Sequence, residues 1–93
     1  MKSINLNSKI VRSENFIAAT VDDDIVMMSI EKGSYFSLDD IGSQIWEKMF
    51  EPILVSNLCA QLISQFNVEQ AQCETDVLAF LSELAAEDMV QLV

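Results

Sequence analysis

A chain of 93 residues holds one domain around one modest core, burying roughly 60–65% of the surface it would expose unfolded, which excludes a multidomain enzyme. Apolar residues make up 51% and charged residues 22%, with two Gly and one Pro, a balance that excludes a disordered or fibrous chain. The net charge of −10 is uneven: Lys2, Lys9, Arg12, Lys32 and Lys48 all precede position 49 and only acids follow, so the surface repels nucleic-acid phosphates.

Residues 1–15 scatter Ile4, Leu6, Ile10 and Val11 among polar side chains and read as an arm able to add a short strand. The first seven residues lack an apolar run of signal-peptide length, and no stretch of about 18 apolar residues occurs. A cytoplasmic protein without a membrane partner is expected. Phe16–Val21 and Ile25–Ile30 are rich in β-branched residues, and Asp22-Asp23-Asp24 between them turns the chain into a hairpin. Ile25, Met27 and Ser29 share one face of the second strand, and Val26, Met28 and Ile30 the other. Apolar groups on both faces predict a sheet covered on one side and partly on the other. Gly33 suits a left-handed position, so Glu31–Ser34 reverse the chain into a third strand, Tyr35–Leu38.

Asp39 can accept from the free amides of a helix that runs to about Phe50, with Asp40 placed where the helix dipole favours negative charge. Ile41, Ile45 and Met49 stack at helical spacing beside Trp46 as its core stripe, Gly42 is costly there unless a neighbour packs close, and Pro52 closes the helix. A second helix begins near Ser56 and presents Leu58, Cys59, Leu62, Ile63 and Phe66. Asn67 and Gln70 have capping-box spacing ahead of a third helix, from about Glu69 to Asp88. On that helix Cys73, Val77, Leu78, Phe80, Leu81, Leu84 and Ala85 cover an arc wider than one packing partner needs. Met89–Val93 can return as a short strand. The expected architecture is α+β, a single domain 1–93 with an arm (1–15), a three-stranded antiparallel sheet (16–38) and then three helices (39–88), the order of a winged helix-turn-helix.

The chain has no His, no Gly-rich phosphate loop and no metal-ligand spacing, so no enzyme, metal site or cofactor is expected. Cys59 and Cys73 read as two buried, reduced thiols. Asp22–Asp24 lacks the alternating acids, central Gly and distal Glu of a calcium loop and reads as an exposed turn. A DNA-reading third helix would present Lys or Arg, whereas this one carries Glu69, Glu74, Asp76, Glu83, Glu87 and Asp88, so no nucleic-acid partner is expected. Tyr35–Leu38 contains neither of the charges nor the Pro that usually blunt an exposed sheet edge. At the margin of the sheet it would offer a guest strand free backbone groups beside an over-wide apolar helix face. The competing readings are that residues 1–15 or the C-terminal tail cover this strand, or that the chain is a structural subunit held to a larger enzyme through Trp46 or its tail.

The segment Ser29-Ile-Glu-Lys-Gly-Ser-Tyr-Phe-Ser-Leu-Asp-Asp-Ile-Gly-Ser-Gln-Ile-Trp46, with Asp76–Leu84 further on, resembles the pyrroloquinoline quinone biosynthesis protein D-like family. That family is the leader-peptide recognition element of ribosomally made, modified peptides. The resemblance implies that a precursor's leader adds as a strand to Tyr35, Phe36, Ser37 and Leu38 and lies against Asp76, Val77, Phe80, Glu83 and Leu84. It also implies a stand-alone leader-binding partner in lasso-peptide biosynthesis, serving a separate cysteine protease and an ATP-dependent cyclase. A peptide carrier for a radical enzyme is the alternative within the family. The chain departs from the family pattern at Phe36 and Asp39, where Tyr and Asn are common, and at Ala86-Glu87-Asp88-Met89, where a Gly commonly ends the helix. Asp76, Glu83 and Glu87 flank one side of the apolar arc and Leu78 and Ala85 the other, and the sequence leaves open which side faces the groove. An acidic flank would favour a leader carrying Lys or Arg.

Overall fold

The computed structural model describes residues 4–14, 16–22 and 24–93. The first three residues of the expected arm, Asn15, and Asp23 of the acidic turn lie outside the described residues. The elements are β1 (Lys9–Arg12), β2 (Phe16–Val21), β3 (Asp24–Ser29), β4 (Tyr35–Leu38), α1 (Asp40–Lys48), β5 (Ile53–Leu54), α2 (Val55–Phe66), α3 (Gln70–Ala86) and β6 (Val90–Leu92).

The expected meander is present as an antiparallel sheet in the order β2-β3-β4. Ile25, Met27 and Ser29 are buried, whereas Val26 and Met28 on the opposite face are half-buried. Gly33 takes a positive φ of 66° between β3 and β4, where the Gly33 amide donates to the Ser29 carbonyl and the Ser29 amide to the Ser34 carbonyl. The helices follow, and the chain is α+β with the order of a winged helix-turn-helix.

A second antiparallel sheet, β5-β1-β6, joins the arm, the segment after Pro52 and the C-terminal strand. The arm supplies its central strand: Ile10 pairs with both Ile53 and Leu92, and its side chain is fully buried. The arm is held for a second reason. Helix α2 has no side-chain cap, and its first amides, Val55 and Ser56, donate to the Ser8 and Leu6 carbonyls. With β1 and β6 committed to each other, neither covers β4.

Several helix ends differ from expectation. Helix α1 stops at Lys48, before Pro52, because the Met49 amide turns back to the Glu47 and Trp46 carbonyls. Asn67 does not open α3; it closes α2 in the left-handed conformation (φ 53°), and α3 starts without a side-chain cap. Helix α3 ends at Ala86 in a Schellman turn, with the Met89 amide donating to the Leu84 carbonyl and the Asp88 amide to the Ala85 carbonyl. Asp88 (φ 59°) occupies the left-handed position that a Gly would fill more cheaply, and the buried Met89 anchors the turn.

Candidate functional site: a strand edge facing an apolar cleft

Strand β4 pairs with β3 through Leu38–Ile25, Ser37–Val26, Phe36–Met27 and Tyr35–Met28, and it is the last strand of its sheet. Antiparallel pairs alternate between residues that bond each other and residues whose backbone groups point away. Since the Ser29 amide bonds Ser34, the alternation assigns the backbone groups of Phe36 and Leu38 to β3 and those of Tyr35 and Ser37 to the outer margin. Among the described residues no backbone group pairs with that margin.

The strand is firmly seated. Buried Ser43 of α1 donates its hydroxyl to the Leu38 carbonyl (3.2 Å) and accepts the Ile25 amide (3.3 Å), tying the end of the β3–β4 ladder to the helix. Asp39 Oδ1 accepts the Gly42 amide at 2.8 Å, as its capping position predicts. Gly42 lies where an added Cβ would stand 3.3 Å from Phe80 Cζ and 3.1 Å from Asp39 Oδ1. The close neighbours that favour a glycine inside α1 are therefore the capping carboxylate of Asp39 and the α3 aromatic.

Side chains alternate along β4. Phe36 and Leu38 point inward, while Tyr35 is 71% exposed on the outer face. Phe36 and Leu38 form one side of a cleft of about 350 Å³ whose other side is Phe80, Glu83, Leu84 and Glu87 of α3, with Met89 at its end. Phe80 also borders a second hollow of about 330 Å³, where Ile41, Val68, Cys73, Asp76 and Val77 converge. The two hollows share Phe80, and the one lined by Phe36 and Leu38 lies beside the free edge.

The sequence-derived candidates thus come together with a division of labour. Tyr35 and Ser37 present backbone, Phe36 and Leu38 present side chains, and Phe80, Glu83 and Leu84 line the facing wall, whereas Asp76 and the almost wholly buried Val77 border the second hollow on the far side of Phe80. The side of α3 left open by the sequence is the acidic one, because Leu78 and Ala85 pack against the core. Ile41 needs correction: it is 46% exposed at the lip of the groove and is not a core residue. Its position in the first turn of α1, directly after the cap that follows β4, is the signal that could have placed it. Val68, Cys73 and Met89 are further groove residues that the candidate set lacks.

Both thiols are buried and free. Burial, reinforced by Cys73 and Glu74, pushes the Cys59 thiol up to about 11, and burial also raises Cys73. Each is therefore held as the neutral thiol near pH 7, the form that is not the nucleophile. Among the described residues no cluster of His, Cys, Asp and Glu could hold a metal ion. No described helix is long and apolar enough to cross a membrane.

The chain is similar to TbiB1 in complex with the TbiA(beta) leader peptide, with 27% identity and a TM-score of 0.80 over 87% of this chain and 94% of that one. It shares its fold with a lasso peptide synthetase B1 complexed with the leader peptide, at 21% identity and a TM-score of 0.78 over 88% of this chain and 96% of that one. None of the curated proteins matches it. The family described as coenzyme PQQ synthesis protein D (PqqD) matches residues 24–90, the span from the first residue of β3 through β4, the three helices and the start of β6, and the chain belongs to that family.

Proposed function

We propose that this chain binds the leader segment of a ribosomally made precursor peptide, without catalysing a reaction, and delivers it to separate processing enzymes. The leader adds as a fourth strand along the margin of β4, bonding the Tyr35 and Ser37 backbone groups, and sets alternate side chains into the groove against Asp76, Phe80, Glu83 and Leu84. The observation that carries this reading is the free margin of β4 beside an apolar groove, in a chain similar to a protein solved with its leader peptide. Catalysis has little to draw on, since the thiols are buried and protonated. The processing enzymes we assign are the cysteine protease that removes a lasso-peptide leader and the ATP-dependent cyclase that closes the ring. A DNA-binding role is disfavoured by acids on the exposed side of α3.

Fluorescence anisotropy with a labelled leader from the precursor gene adjacent to this one tests the proposal. Saturable binding is expected. A dissociation constant weaker than about 100 μM, roughly −5.5 kcal/mol, would contradict it.

A further inference from the structure

The cleft beside β4 and the hollow across Phe80 from it are both apolar in their floors, and each is bordered by α3 acids, Glu83 and Glu87 at the first and Asp76 at the second. Asp76, Phe80, Glu83 and Glu87 follow one another at helical spacing along the wall, so carboxylates bracket the Phe80 ring at both ends. Asp22, Asp24, Asp39 and Asp40 converge on an open hollow at the Leu38 end of β4, adding negative potential to the side where Asp76 stands. Asp39 is engaged in capping and Asp76 Oδ1 accepts the Gln72 side-chain amide at 2.9 Å, a solvent-exposed bond that leaves Oδ2 free, whereas Glu83 is exposed. The cation at this groove among the described residues is Lys32, whose Nζ lies 3.7 Å from Glu87, with both side chains more than 40% exposed. Such a pair is screened and readily exchanged.

We infer that the segment taken up here carries basic side chains on its groove-facing positions, flanking an apolar one that rests on Phe80. This rests on the strand-addition reading and adds the chemistry of the guest. The spacing is compatible. Asp76 lies about 10 Å from Glu83 and about 16 Å from Glu87 along the helix axis. Two groove-facing strand positions four residues apart span about 13 Å. A guest strand with Lys or Arg at both such positions and an apolar residue midway meets a carboxylate at each end and the aromatic ring between. A guest with acids there would face like charges.

The test is anisotropy with the labelled leader of the adjacent precursor gene against the intact chain and the Asp76→Asn, Glu83→Gln, Glu87→Gln triple variant. Measurements at about 50 mM and about 500 mM salt shorten the screening length from roughly 14 Å to roughly 4 Å. A leader variant with every Lys and Arg replaced by Gln is measured in parallel. Because Asp76 and Glu83 are exposed and Glu87 is half-exposed, the triple variant should fold, which its thermal melt checks. The inference expects about tenfold weaker binding at low salt for the triple variant and for the neutralised leader, and a clearly smaller salt dependence in each. A leader that binds the triple variant within about twofold of the parent overturns the inference and leaves strand addition standing. A leader that binds neither protein at any salt overturns both.

Discussion

Strands β2 and β4 border the same sheet, and each turns alternate backbone groups away from β3. By the alternation set at Ser29 these belong to Phe16, Ala18 and Thr20 on one margin and to Tyr35 and Ser37 on the other. Neither strand contains the charge or Pro that usually protects such a margin. Their surroundings differ. Beside β4, Phe36 and Leu38 face the continuous wall of α3 across an apolar cleft. Beside β2, Ala18 and Thr20 are exposed, and the adjoining hollow is walled by the end of β1, Ser13 and Glu14, Trp46 of α1 and Phe50, with the Arg12 guanidinium 5.6 Å from the Trp46 ring centroid. A row of amides gives affinity to any strand, and only side-chain pockets tell strands apart. The pair of margins in one molecule separates these two contributions.

Replacing Ser37 by Pro removes an outward amide while sparing the ladder to β3, so it should weaken leader binding by about 2 kcal/mol or more, at least about thirtyfold, with the thermal melt unchanged. Phe36→Pro is its counterpart, removing an amide that bonds β3, and should lower the melting temperature. Leader affinity unaltered by Ser37→Pro in a folded protein would take β4 out of the account. Phe80→Ala strips the ring shared by the two hollows and should weaken the leader about tenfold, roughly 1.4 kcal/mol, measured by anisotropy. Gly42→Ala places a methyl 3.3 Å from Phe80 Cζ, which displaces the ring end and should weaken binding only about threefold. Ala18→Pro blocks the β2 margin in the same way that Ser37→Pro blocks β4, and it should leave leader affinity unchanged. An equal loss in both proline variants would show that the margins are interchangeable and that the groove confers no preference.

Much of this site is legible in the sequence because its signals are local. The β-branched runs, Gly33 at its positive φ and the Asp39 cap each act over a few residues, and together they fix the meander and the start of α1. The second sheet escapes such reading. Its strands are four, two and three residues long, and Ile10 becomes central only through pairing with segments more than forty residues away. The face of α3 escapes it as well, since acids flank one side of its stripe and Leu78 and Ala85 the other, and only packing, which takes Leu78 and Ala85 against the core, turns Glu83 and Glu87 toward β4 and Asp76 toward the neighbouring hollow. Ile41 misleads for the opposite reason: its spacing from Ile45 and Met49 is that of a core stripe, yet the first turn of α1 projects past the core to the lip of the groove. Helix ends depend on backbone carbonyls supplied from afar, as at Val55 and Ser56, or on a left-handed Asp88 in place of Gly.

The most direct test of the central claim is amide hydrogen exchange with residue resolution, with and without saturating leader peptide. The account predicts that the Tyr35 and Ser37 amides become strongly protected on binding, while Phe16, Ala18 and Thr20 exchange as before. Saturated binding that leaves Tyr35 and Ser37 unprotected, or that protects the β2 amides instead, would contradict it.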